Sequence, residues 1–250
     1  MTVVTGGLST CQAFREHPEA WIHSDDFAAA IGQDLKSQLA AYPFAKGEYE
    51  TTDEQNKRIQ NALEVFFGHP ESAPFMLTVG DDQQHYDADA GVLTVSVPSA
   101  TPRAGYHSYS EHNLPLFANE KKVGRYLGTT RMGIKFHYEV WVRYERFLGV
   151  PSGDFDRAFG NSGAYTFTQP SYKVEMDREH ALAVRNNLAF AVLARIAPPY
   201  ASTEKNDENA SLDDPTELAT QTDIISATPR CVYLVDTVHK QVLKSIYEEP

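Results

Sequence analysis

The chain has 250 residues, 42% of them hydrophobic and 22% charged, an ordinary balance for a globular protein that excludes wholesale disorder. Its 34 acids against 22 bases leave a net charge of −12, which argues against a broad phosphate-binding face, so no nucleic-acid partner is expected. Two cysteines are too few for a disulfide-rich scaffold or a four-cysteine zinc site, and no run approaches the roughly 20 apolar residues that span a bilayer.

The first residues, Met1 to Leu8, carry neither the basic nor the apolar segment of a signal peptide. Two compartments fit: the cytoplasm, or the periplasm or exterior after removal of a signal. Residues 24–42 read as an amphipathic helix, with Ser24 and Asp25 as capping types, Phe27, Ile31, Leu35 and Leu39 at helical spacing, and Pro43 ending it. A second helix is expected over 53–67, where Thr52 and Gln55 make a capping box and Ile59, Leu63 and Phe66 share a face. From Pro74 the period changes to two. Residues 75–79 and 92–97 read as strands, with Leu93, Val95 and Val97 on one side. Residues 98–120, broken by prolines, Gly105 and Ser/Thr, read as a long ordered loop.

The clearest local pattern is 132–147. Ile134, Phe136, Tyr138, Val140, Val142 and Tyr144 alternate with Lys135, His137, Glu139, Trp141, Arg143 and Glu145, as a long strand with one apolar and one mostly charged face requires, and 123–127 are its expected hairpin partner. Residues 149–163 read as a loop. Strands are expected over 165–168 and 172–176, and Asp177 caps a short helix reaching about Asn186. The apolar run 188–196 fits a buried strand or a continued helix, with Pro198 and Pro199 ending either. Residues 201–223 hold seven acids and one lysine, half of the whole net charge, and only two large aliphatic residues, a composition expected of a flexible insertion. Residues 231–235 and 241–246 then read as a hairpin.

The segments YLGTTRMGIKFHYEVWV, FTQPSYKVEMDREHALAVRNNLAFAVLARI and CVYLVDTVHKQVLKSI resemble an uncharacterised family of bacterial, usually exported proteins. The resemblance covers about 120–247 and implies a β-rich exported domain without a known activity. The acidic stretch and the absence of a signal peptide depart from that family.

Candidate chemistry is sparse. The loop 103–113 collects Arg103, Tyr106, His107, Tyr109, Glu111 and His112, which suit a small ligand, a protein partner or, with His137 or Glu139 recruited, a metal ion. Two histidines five residues apart do not enforce metal geometry, so no metal and no cofactor are expected. Trp141 and Arg143, on the polar face of the long strand, either pack beneath the N-terminal helices or mark a partner surface. Gly160–Gly163 reads as a turn rather than a nucleophilic serine motif, and His85 to Asp89 as a polar turn rather than a calcium loop. Cys11 and Cys231 are either two buried thiols or one disulfide closing a very long loop.

The expected fold is α+β. A helical part, 1–74, packs on an antiparallel sheet or sandwich, 75–250, that carries the flexible acidic insertion 201–223. The expected function is a non-enzymatic interaction or structural domain, exported from a bacterium, with an unidentified protein partner or small ligand. The alternatives are a hydrolase or metal-dependent enzyme centred on 103–113, and a component of a phage or secretion assembly.

Overall fold

The computed structural model describes residues 9–22, 47–55, 57–58, 61, 73–98, 111–129, 133, 135–160, 169–211 and 215–249. Strands make up 59% of it. In chain order they are β1 (Ala73–Thr78), β2 (Gln84–Asp87), β3 (Val92–Ser96), β4 (Glu111–Thr129), β5 (Lys135–Pro151), β6 (Ser171–Glu175), β7 (Leu188–Glu208), β8 (Thr216–Asp236) and β9 (Gln241–Glu248). The labelled helices are α1 (Thr10–Glu16), α2 (Ser152–Phe159) and α3 (Arg178–Val184). The chain is therefore α+β in the broad sense, but its helices are spread along it rather than gathered at the N-terminus. The expected helix over 24–42 lies outside the described residues. Of the one over 53–67, residues 53–55, 57–58 and 61 are described, and they are helical.

Two sheets face each other. The six-stranded sheet runs β1-β7-β8-β5-β4, with β9 also on β8, and the three-stranded sheet runs β2-β3-β6. Phe75 and Leu77 of β1, Phe190 and Val192 of β7 and Val232 and Leu234 of β8 fill the space between them. From the small sheet Leu93, Val95 and Val97 meet them, the shared face that the alternation predicts. Each such fully buried large side chain contributes about 1.5–3 kcal/mol. Helix α2 closes one side of this core with Phe155, Ala158 and Phe159, and the Tyr172 hydroxyl donates to the Phe159 carbonyl at 2.6 Å. Asp177 caps α3 by accepting from the His180 amide at 2.7 Å, as its position predicts.

The opposite face of the large sheet carries a second core, built from Ala189, Ala191, Leu193, Tyr233 and Val235 with Phe14 of α1 and Ile22. A disulfide between Cys11 and Cys231 crosses it, with Cα atoms 5.8 Å apart. Phe14 stacks on Tyr233 at 5.0 Å, and the Tyr233 hydroxyl donates to the Cys11 carbonyl at 2.8 Å.

Several expectations change. The apolar run 188–196 is strand, and β7 continues past Pro198 and Pro199 to Glu208. Those prolines lack amide donors, and the pairing of β7 with β8 slips between Ile196 and Ala201 without ending. The acidic stretch 201–223, expected to be a flexible insertion, is instead paired strand over 201–208 and 216–223. The backbone hydrogen bonds of a hairpin need no apolar anchor from the residues that make them. The loop expected over 98–120 is strand from Glu111 onward, and Pro115 sits beside a register irregularity of an edge strand, where proline is tolerated. Half of the loop expected over 149–163 is α2. The large sheet is not wholly antiparallel, because β5 runs parallel to β8 from Glu139↔Thr216 to Gly149↔Ser226. Among the described residues no helix is long and apolar enough to cross a membrane.

Candidate functional site

Among the described residues, neither core takes one from 117–147 or from 197–224. These stretches form two long hairpins, β4–β5 and β7–β8, laid side by side by the parallel β5–β8 pairing. The result is a four-stranded arm in the order β4-β5-β8-β7 that continues the large sheet beyond its cores.

Successive residues of a strand point to opposite faces, so the register assigns each side chain of the arm to a face. One face carries Phe136, Tyr138, Val140 and Val142 of β5, with Tyr126 of β4 and Ala219 of β8. Tyr126 stacks on Tyr138 at 5.2 Å. Gly128 leaves room for that ring: a Cβ there would lie 2.2 Å from the Tyr138 ring. The Tyr126 hydroxyl donates to Glu217, and that hydrogen bond raises its pKa. These side chains are half-buried or exposed, so over this stretch the apolar face of β5 is a surface and not core. The core contribution of β5 comes from its other end, through Leu148 and Val150.

The opposite face carries Trp141 and Arg143. Trp141 donates to Glu139 at 3.1 Å, and Lys122 lies 6.0 Å from the centroid of its ring and also donates to Glu139. Hydrogen bonds from Lys122 and from Trp141 hold the Glu139 carboxyl below the usual range. Arg143 donates to Glu120 at 2.7 Å. Trp141 thus lies on the arm and shares a face with Arg143 but not with the apolar stripe; of the helices expected to cover it, 24–42 and most of 53–67 lie outside the described residues. Nearer the core, Arg146 is buried beside Asp223 at 3.9 Å; burial lowers its pKa and Asp223 opposes the shift.

Of the loop residues singled out from sequence, Arg103, Tyr106, His107 and Tyr109 lie outside the described residues. Glu111 and His112 open β4, and as strand neighbours they point to opposite faces. His112 stacks on Phe155 at 4.0 Å; burial lowers its pKa, and Asp156 acts in the opposite direction. His112 pairs with Val150, eleven residues along β5 from Glu139, roughly 35 Å of extended strand, so His137 and Glu139 do not join it. Among the described residues no three His, Cys, Asp or Glu side chains gather as a metal site. Asp87 accepts from the amides of Asp89 and Ala90, both at 3.0 Å, and closes the turn at 88–91; residues 85–87, expected to belong to that turn, are instead strand in β2. Gly160 has a φ of 82°, open to glycine, and 161–163 lie outside the described residues.

The feature that sequence reasoning missed is the charge at the two edges of the arm. From Glu120 to Arg125, β4 carries three bases and one acid; from Glu204 to Glu208, β7 carries three acids and one lysine. The runs are visible in the sequence, but not that they are opposite borders of one sheet.

Comparison with known protein families, with curated proteins and with solved structures found no match for this chain.

Proposed function

We propose that this chain is a non-enzymatic, β-rich interaction domain that engages a protein partner through the four-stranded arm, and that it works outside the cytoplasm of a bacterium. The observation that carries this reading is the arm itself. Among the described residues its stripe of Tyr126, Phe136, Tyr138, Val140 and Val142 belongs to neither core and stays half-buried or exposed, and apolar surface of that kind, rimmed here by Lys121, Glu217 and Asp207, marks a contact site. Aromatic side chains with few rotatable bonds are efficient anchors in such a contact. The Cys11–Cys231 disulfide supports the compartment, because such bonds persist in oxidising surroundings. The resemblance to exported bacterial proteins points the same way.

Site-specific photo-crosslinking in the producing cell tests the reading. A benzophenone side chain replacing Tyr126 or Tyr138 on the arm is compared with one replacing Leu182 or Val238, which are exposed on the body. The expected result is a discrete protein adduct from the arm positions alone. No adduct from the arm, or equal adducts from the body positions, overturns the proposal.

A further inference from the structure

The arm has two lateral borders. Among the described residues β4 pairs only with β5, and β7 from Ala201 onward pairs only with β8. From Phe117 to Thr129, β4 is exposed nearly throughout, and so are Glu204, Lys205, Asp207 and Glu208 of β7. Edge strands present rows of backbone donors and acceptors to any strand that can approach. Lysines and a bulge, present here at Lys121, Lys122 and the slip between Lys122 and Gly124, guard an edge against neutral or basic strands. Against an acidic strand the same lysines attract.

The register makes the two borders complementary in two adjacent rows. Lys121 lies in one row with Val142, Ala219 and Asp207, and Lys122 in the next with Trp141, Leu218 and Glu208. Within each row the side chains share a face of the sheet. Strand β4 is antiparallel to β5, β5 parallel to β8 and β8 antiparallel to β7, so β4 and β7 run in the same direction. A second copy displaced sideways by the width of the arm, with no change of row, therefore sets its Asp207 beside Lys121 and its Glu208 beside Lys122. Two-fold pairing of β4 with β4, or of β7 with β7, brings two net-basic or two net-acidic runs together instead.

We propose that the occupant of the arm's edges is a second copy of this chain, added head to tail through parallel pairing of β4 with β7 of the next molecule. The inference rests on the reading of the arm as the interaction element and names its partner. Such a contact is heterologous, so it propagates to a ring or a filament rather than stopping at a dimer.

Sedimentation of charge-reversed chains tests this. Lys121→Glu with Lys122→Glu makes both borders acidic, and Asp207→Lys with Glu208→Lys makes both basic. Each variant alone is expected to sediment as a single chain of 27.9 kDa, whereas an equimolar mixture assembles. Its weight-average mass is expected to rise about twofold or more over either component. The unmodified chain carries the test by itself if a variant misfolds: at about 20 mM salt it forms species larger than a dimer, which dissociate as salt is raised to about 0.5 M and screens the edges. An unmodified chain that stays monomeric at low salt, that stops at a dimer, or whose variants assemble alone as readily as the mixture overturns the inference. A different protein captured from Tyr126 or Tyr138, with a chain that remains monomeric, overturns this inference and leaves the arm as the interaction element.

Discussion

Gly149 sits in β5 where it passes between β4 and β8, and a Cβ there would lie 2.7 Å from the Ile224 Cγ2 atom. Ile224 is buried and β-branched and has little freedom to yield. Gly149→Ala is expected to cost about 1–3 kcal/mol in urea unfolding. Gly153 in α2 has nothing within 4 Å of its would-be Cβ, so Gly153→Ala is expected to be neutral or to stabilise by up to about 1 kcal/mol. Equal losses at both positions would mean that Ile224 does not press on β5. His112 gives a pH dependence. Its folded pKa is lowered by burial below its ordinary 6.5, so the unfolded chain binds a proton more readily than the folded one between those two values. Its contribution to stability is full above about pH 6.5 and declines as pH falls below it. His112→Phe keeps an aromatic ring against Phe155 and removes the titration. The melting temperature of the variant, measured from pH 7.5 to 5, is expected to fall less steeply than that of the parent.

At the scale of elements, α1 has only seven residues, too short to persist alone. Its place is set by contacts: Phe14 on Tyr233, the Arg15 guanidinium on Glu248 at 2.9 Å, and the disulfide to β8. The disulfide spans 220 positions, and closing so long a loop restricts the unfolded chain strongly. Replacing Cys11 and Cys231 with alanine is expected to lower stability by about 2–5 kcal/mol, with a matching drop in melting temperature when the parent is reduced. Reduction that leaves the melt unchanged would show that the second core holds α1 without it. The hairpin pairing of β8 with β9 follows from local chemistry. Asp236 is buried and accepts from the amides of Val238 and His239 at 3.0 and 3.2 Å, which closes the turn that the alternation on either side predicts.

For the whole molecule, the division between body and arm has a direct consequence. Because neither core, among the described residues, draws on 117–147 or 197–224, the apolar contacts of the body come from outside the arm. A chain in which 119–144 and 203–222 are each replaced by a short glycine-rich turn is expected to melt cooperatively and to keep the Cys11–Cys231 bond. The measurement is calorimetry together with a thiol count on the unfolded protein. A non-cooperative melt would make the arm part of one folding unit with the body. The same shortened chain removes both charged borders and the aromatic stripe, so it also serves as the non-assembling control in sedimentation.

What could be read from the residues alone was whatever neighbours in sequence impose. Alternation at 92–97 and 132–147 sets two strands, Asp177 opens α3, and the hairpins β4–β5 and β8–β9 join segments already adjacent in the chain. Composition misled at 201–223, because a strand can be held by backbone hydrogen bonds from a neighbour while its side chains stay polar. Periodicity at 132–147 found the strand but not its burial, since an apolar face becomes core only if another layer covers it. The tertiary structure alone decided three things: that β5 lies parallel to β8, that Cys11 reaches Cys231, and that a basic run at 120–125 and an acidic run at 204–208 border the same sheet. Each joins residues tens to hundreds of positions apart, and such contacts depend on how packed elements meet in space rather than on any local pattern of residues.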